Sequence, residues 1–123
     1  MLEFFATNDK KRLDAIMQDV FGKDFPGQVG YVLSYNDTII GISKISVTPE
    51  ISSIKFIGIS KPYRKKGFGD FFTRSLMNTL SYVSEVIVIE YVSNYYLQFG
   101  FVEKNKTMTI DSKNIIFPSK CGH

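Results

Sequence analysis

The chain is 123 residues long, 44% apolar and 22% charged, with 15 basic and 12 acidic side chains for a formal net charge of +3. Residues 1–123 read as one domain, long enough for a real core and too short for a second. The composition excludes a disordered chain, no apolar run approaches the roughly 18 residues of a membrane span, and the charge is too mild to mark a nucleic-acid binder.

The N-terminus carries Glu3 and no basic-then-apolar pattern, so no leader is expected and a cytoplasmic location is the default. The single cysteine, Cys121, rules out an intrachain disulfide framework. With the single histidine, His123, it offers two ligands, too few for a tetrahedral zinc site, so no metal is expected.

Leu2, Phe4 and Phe5 fall in a first segment suited to an edge strand. Thr7 or Asn8 can cap a helix, with Asp9 in its first turn favouring the dipole. Leu13, Ile16, Met17, Val20 and Phe21 then have the spacing of one buried helical face, and Gly22 ends it. The loop to Gln28 holds Pro26 and Gly27 and could face a substrate. Val29 to Tyr35 and Thr38 to Val47 read as strands joined by a tight turn at Asn36-Asp37, with Gly41 marking a bulge or a close approach. Pro49 separates them from a third strand, Ile51 to Ser60, and short connections predict antiparallel pairing.

Phe68, Phe72, Leu76 and Leu80 recur every fourth position, predicting a helix over residues 68–83. Glu85 to Tyr91 is apolar and β-branched on successive positions, as in a central strand buried on both faces. Ser93 to Phe99 suits a brief helix ended by Gly100, and Phe101–Glu103 with Thr107–Phe117 a closing hairpin across residues 104–106. There is no internal repeat and no low-complexity segment. The order β-α-β-β-β-α-β-α-β-β is that of an α+β or mixed α/β fold.

Between the third strand and the second helix lies Arg64-Lys65-Lys66-Gly67-Phe68-Gly69, a basic, glycine-punctuated turn after Pro62. A strand, a glycine-rich turn and a helix together point backbone N–H groups at a bound phosphate. Gly67 and Gly69 remove side chains that would block a pyrophosphate, and their permissive dihedrals allow the turn. The amides of residues 65–70 face the anion with the helix dipole. Arg64, Lys65 and Lys66 add positive charge, and one of them could contact a ribose phosphate.

Tyr63 to Gly69 resembles the (Q/R)-x-x-G-x-(G/A) acyl-CoA-binding signature of the GNAT superfamily of N-acetyltransferases. Tyr95-Tyr96-Leu97-Gln98-Phe99-Gly100-Phe101 resembles that superfamily's second signature, an aromatic pair followed by Gly-Phe. The element order also resembles the GNAT fold, a largely antiparallel, splayed sheet flanked by helices. The resemblance implies that residues Ile57, Gly58 and Ile59 bond the pantetheine arm of acetyl-CoA through their backbone, Gly58 letting the cofactor lie close. Residues 64–70, Asp70 included, would hold the pyrophosphate, and the strand of residues 85–91 would form the other wall of the splay.

The reaction so implied is acetyl transfer from acetyl-CoA, as co-substrate, to an amine acceptor. An alkyl ammonium titrates near about 10.4, so it must lose a proton before it attacks. Glu90, at the end of the apolar run, is the first candidate to take that proton, and Glu50 is the runner-up. Some family members carry a glutamate inside the signature strand; here those positions hold Ser52, Ser53 and Lys55. The motif makes Tyr96 the acid that protonates the leaving thiolate, with Tyr95 in the preceding aromatic position, and a strand N–H near Ile59 would meet the oxyanion.

Three features depart from the family pattern. Pro62 lies one position late, Asp70 puts a carboxylate just after the phosphate turn, and the first helical region has room for about one helix where the family often has two. A homodimer could supply the missing acceptor wall. The alternative is a non-catalytic CoA-binding or protein-interaction module, which the missing strand glutamate favours. A nucleic-acid module is discouraged by the modest charge and the absence of a basic face elsewhere.

Overall fold

The structure, a computed structural model, describes residues 1–119. Cys121 and His123 therefore lie outside the described residues. The elements are β1 (Leu2–Thr7), α1 (Lys10–Phe21), β2 (Gly30–Tyr35), β3 (Thr38–Val47), β4 (Ile51–Ile59), α2 (Phe68–Ser81), β5 (Val86–Ile89), β6 (Val102–Lys104) and β7 (Thr107–Asp111). Short 3-10 turns occupy Lys61–Tyr63, Asn94–Phe99 and Ser112–Asn114. The strands are hydrogen-bonded in the order β1-β2-β3-β4-β5-β7-β6. Bonds from Thr48 N to Ile51 O and from Ser60 N to Ile40 O set β4 antiparallel to β3. β5 runs parallel to its neighbour β4, Ile51–Ile54 lying opposite Val86–Ile89. This is the mixed α+β architecture expected. Among the described residues no helix is long and apolar enough to cross a membrane.

The described residues fold as two compact units, residues 1–45 with 57–75, and residues 46–56 with 76–119. In the first unit, the cap of α1 is Asp9 itself, one residue beyond Asn8 and two beyond Thr7, the expected caps. Its backbone is extended and its carboxylate accepts the Arg12 amide, so the helix begins only at Lys10. Thr7 instead accepts the Asp9 amide. Leu13, Ile16 and Met17 are buried as the spacing predicts, whereas Phe21 stays partly exposed. Asn36 and Asp37 both take positive φ, as the tight β2–β3 turn requires. The register slips between Leu33–Gly41 and Ser34–Ile39, leaving Ile40 unopposed beside Gly41.

The loop after α1 is tied down by Asp14, whose Oδ1 accepts from Phe25 N at 2.8 Å and from Lys10 Nζ at 2.9 Å. Those bonds, the Lys10 one foremost, hold the Asp14 carboxyl below the ordinary carboxylate value. A depressed carboxyl stabilises the fold above its unfolded pKa, and that contribution is lost as pH falls through the folded value. The protection factor of the Phe25 amide, its exchange rate relative to an unstructured chain at the same pH, should therefore fall as the solution is acidified below about pH 4, and Asp14→Asn should show the lower protection already at neutral pH. Equal protection in both proteins would show that Asp14 does not anchor the loop.

In the second unit several element ends differ from the sequence expectation. α2 stops at Ser81 rather than at residue 83, because Tyr82 N and Val83 N bond three residues back, to Thr79 O and Leu80 O. β5 covers only Val86–Ile89, not 85–91. Its Ile87 and Ile89 are buried, while Val86 and Val88 are half-buried, so one face is fully covered and the other in part. The expected brief helix is a 3-10 turn capped by the Ser93 hydroxyl. The closing hairpin pairs Val102–Lys104 with Thr107–Asp111, where the sequence suggested strands at 101–103 and 107–117. Ser112 ends β7 early: its amide bonds Glu85 O and its hydroxyl bonds Ser84 O, turning the chain away.

The hairpin turn places Asn105 and Lys106 at φ 53° and 64°. Lys106→Gly should relieve a left-handed lysine and raise stability by about 0.5–1 kcal/mol, read as a shift in the urea midpoint. A midpoint that moves the other way would contradict that reading of the turn.

Candidate active site

The first unit holds the whole strand–turn–helix. β4 ends at Ile59, Ser60 donates to the Asp19 carboxylate of α1, and Pro62 sits in the 3-10 turn that reverses the chain. Arg64 follows, and its Nε donates to the carbonyl of Ile59 at 2.7 Å. That bond clips the basic turn back onto the strand end, and it commits Arg64 and the Ile59 carbonyl to each other. Lys65 and Lys66 are exposed. Lys65 and Gly67 take φ 64° and 85°, two left-handed residues that let the backbone turn sharply into α2. Phe71 N to Gly67 O is the first helical bond, so the amides of Phe68 and Gly69 open the helix with no acceptor inside it. An anion facing them needs no side chain in its way, and Gly67 provides none.

The two other glycines of the stretch have different reasons. Gly69 is helical, and a Cβ there would meet only Ile59 Cγ1 at 3.6 Å, so permissive dihedrals are not what this position uses. At Gly58 a Cβ would sit 2.6 Å from Val20 Cγ1 and 2.9 Å from Phe21 Cζ. The room that its missing side chain leaves is taken by the last turn of α1.

Phe68 packs against Tyr35 at 5.0 Å between centroids and against Tyr63 at 6.3 Å, an aromatic cluster that fixes the start of α2. The Asp70 carboxylate lies 3.0 and 2.9 Å from Arg74 Nε, one helical turn on. The opposition that Asp70 would offer to an anion is thereby largely neutralised.

The second unit holds the other sequence candidates. Glu90 lies one residue beyond β5, exposed, with its amide on Ile54 O and its carboxylate 3.3 Å from Lys55 Nζ. Lys55, at one of the strand positions without a glutamate, is thus the partner of the Glu90 carboxylate. Ser52, at another, bonds the buried Ser84 hydroxyl. Tyr96 is 2% exposed and ringed by Tyr91, Tyr95 and Phe101 at 5.8, 5.1 and 5.6 Å. Its hydroxyl is hydrogen-bonded to that of Tyr91, which is half-buried. Burial pushes the Tyr96 hydroxyl well above the ordinary phenol value, and the Tyr91 oxygen adds to the rise. Tyr91 rises too, again by burial.

A cavity of about 780 Å³ in this unit opens at the start of β5, lined among others by Ser81, Glu85, Asp111, Lys113 and Phe117. None of the residues chosen from the sequence lines it. Among the described residues no group of three or more His, Cys, Asp or Glu is gathered to hold a metal ion.

No protein-family model matches the chain, and no curated protein matches it in sequence. Solved structures do. The ribosomal-protein-S18-alanine N-acetyltransferase of Escherichia coli superposes with a TM-score of 0.75 at 16% identity, over 98% of this chain and 97% of that one. A GNAT family acetyltransferase from Brucella melitensis, solved with acetyl-CoA, gives 0.70 at 12% identity over 90% and 88%. A GNAT family N-acetyltransferase from Escherichia coli, solved with CoA, gives 0.70 at 14% over 91% and 81%. The fold is that of the GNAT acetyltransferases.

Within that fold the sequence located the turn and the helix it opens. It missed three partners. Tyr91 was read as a strand residue, although a tyrosine five positions before Tyr96 and just past an apolar run could have flagged it. The Arg64–Ile59 clip and the Lys55–Glu90 pair were invisible because each joins residues that only the folded backbone brings together.

Proposed function

We propose that this protein transfers an acetyl group from acetyl-CoA to a primary amine of a small molecule or peptide, the amine attacking the thioester directly. The observation that carries the reading is the turn at residues 64–69: two left-handed residues, a glycine without a side chain, and the open amides of Phe68 and Gly69 at a helix N-terminus. The likeness of the fold to structures solved with acetyl-CoA and CoA supports it. In this reading the turn and Lys65 or Lys66 hold the pyrophosphate and a ribose phosphate, with Asp70 kept neutral towards them by Arg74. Backbone groups of residues 57–59 other than the Ile59 carbonyl, which Arg64 holds, align the pantetheine arm. Glu90 takes the proton of the incoming ammonium, directly or through water, and Tyr96 returns a proton to the leaving thiolate.

A second reading, a CoA-binding or interaction module without turnover, draws on one observation. Glu90 is exposed and paired to Lys55, where an effective base would be freer and less solvated. Thiol release from acetyl-CoA over a panel of alkyl amines and peptides separates the two. The panel should include a peptide with N-terminal alanine, after the acceptor named for the Escherichia coli enzyme of similar fold. Thiol release matched by an acetylated product supports the transferase. Acetyl-CoA binding with no release over the whole panel supports the module.

A further inference from the structure

We propose that Tyr91 is a proton relay, passing a proton through its hydroxyl to Tyr96 as Tyr96 protonates the departing CoA thiolate. The inference rests on the acetyl-transfer reading above and extends it to a residue outside both sequence signatures.

Tyr96 is 2% exposed, and its other ring neighbours Tyr95 and Phe101 offer their rings. Its hydroxyl is bonded to the hydroxyl of Tyr91, and the two rings stand at 68° with centroids 5.8 Å apart. Tyr91 follows the end of β5, where the chain leaves the sheet beside the exposed Glu90, and is itself only half-buried. The pair therefore joins a buried tyrosine to one that is only half-buried.

That arrangement answers a problem the chemistry poses. If Tyr96 gave up its proton alone, a phenolate would remain in a buried site, where desolvation opposes charge. Burial is the first cause of the upward shift of Tyr96, so a lone phenolate there is disfavoured. With the relay the steps balance. The thiolate sulfur takes the Tyr96 proton as its S–H bond forms, Tyr96 Oη takes the proton of Tyr91 Oη, and Tyr91 is reprotonated from water. Charge then appears only at the wetter end of the pair.

The test compares Tyr91→Phe and Tyr96→Phe with the unchanged protein in thiol release, on an amine that it acetylates. Steady-state constants are read together with a proton inventory in mixed light and heavy water. The relay predicts that Tyr91→Phe lowers kcat about tenfold or more with KM for acetyl-CoA unchanged. It also predicts that an inventory curved in the unchanged protein becomes linear in Tyr91→Phe, as one of two moving protons drops out. A loss of kcat with the inventory still curved would overturn the relay and leave Tyr91 a packing residue. Unchanged kcat in Tyr91→Phe, with Tyr96→Phe impaired, would overturn the relay while the acid role of Tyr96 stands. Unchanged kcat in both variants would overturn the acid role and the relay with it.

Discussion

Gly67→Glu is expected to weaken CoA binding about a hundredfold, roughly 2.7 kcal/mol, while the domain still folds. Two effects add at this position. Gly67 has φ 85°, so any side chain there strains the turn by about 1–2 kcal/mol, and the glutamate places a negative charge beside amides that would meet a pyrophosphate. The fold should tolerate the change because the turn is held elsewhere, by the Arg64 bond to Ile59 O and by Phe68 among Tyr35 and Tyr63. Calorimetric titration with CoA, beside circular dichroism and a melting curve, separates lost affinity from lost structure. Unaltered affinity in a folded variant would remove the turn from the site.

The second large effect is expected at Tyr96. Tyr96→Phe should lower kcat by about a hundredfold or more, with acetyl-CoA affinity kept, because the role proposed for the hydroxyl is to protonate the departing thiolate, which binding of the intact thioester does not need. The ring packing against Tyr95 and Phe101 survives the change. What is lost structurally is one hydrogen bond, leaving the half-buried Tyr91 hydroxyl able to turn to water at a cost of about 1 kcal/mol. Burst and steady-state measurements of thiol release distinguish a slowed chemical step from slowed product release. A variant with full kcat would mean that the thiolate is protonated by another group.

Most of the fold could be read from periodicity. The four-residue repeat of Phe68, Phe72, Leu76 and Leu80 located α2, and the β-branched run Val86–Ile89 located β5. The ends of elements were less legible, because tertiary bonds decide them. β7 stops at Asp111 only because Ser112 is captured by the chain around Ser84 and Glu85, and nothing in the apolar residues after Asp111 announces that. At the candidate site, the glycine-punctuated spacing from Arg64 to Gly69 was enough to place the sharp turn ahead of α2, since a turn is set by local dihedrals. Gly58 shows the opposite case. Its close approach was expected to favour a cofactor, whereas Val20 and Phe21 from α1 occupy the space, a contact across many residues of sequence. The Tyr91–Tyr96 pair was hidden because Tyr91 continues an apolar run and looked like more strand.

In the proposed function, the strand–turn–helix at residues 57–70 recognises the pyrophosphate of CoA. Parallel calorimetric titrations of the unchanged protein with CoA and with pantetheine, which lacks the nucleotide and its phosphates, test it most directly. Recognition through the phosphates predicts clear binding of CoA and at least about a hundredfold weaker binding of pantetheine. Equal affinities for the two, or no binding of CoA, would contradict it.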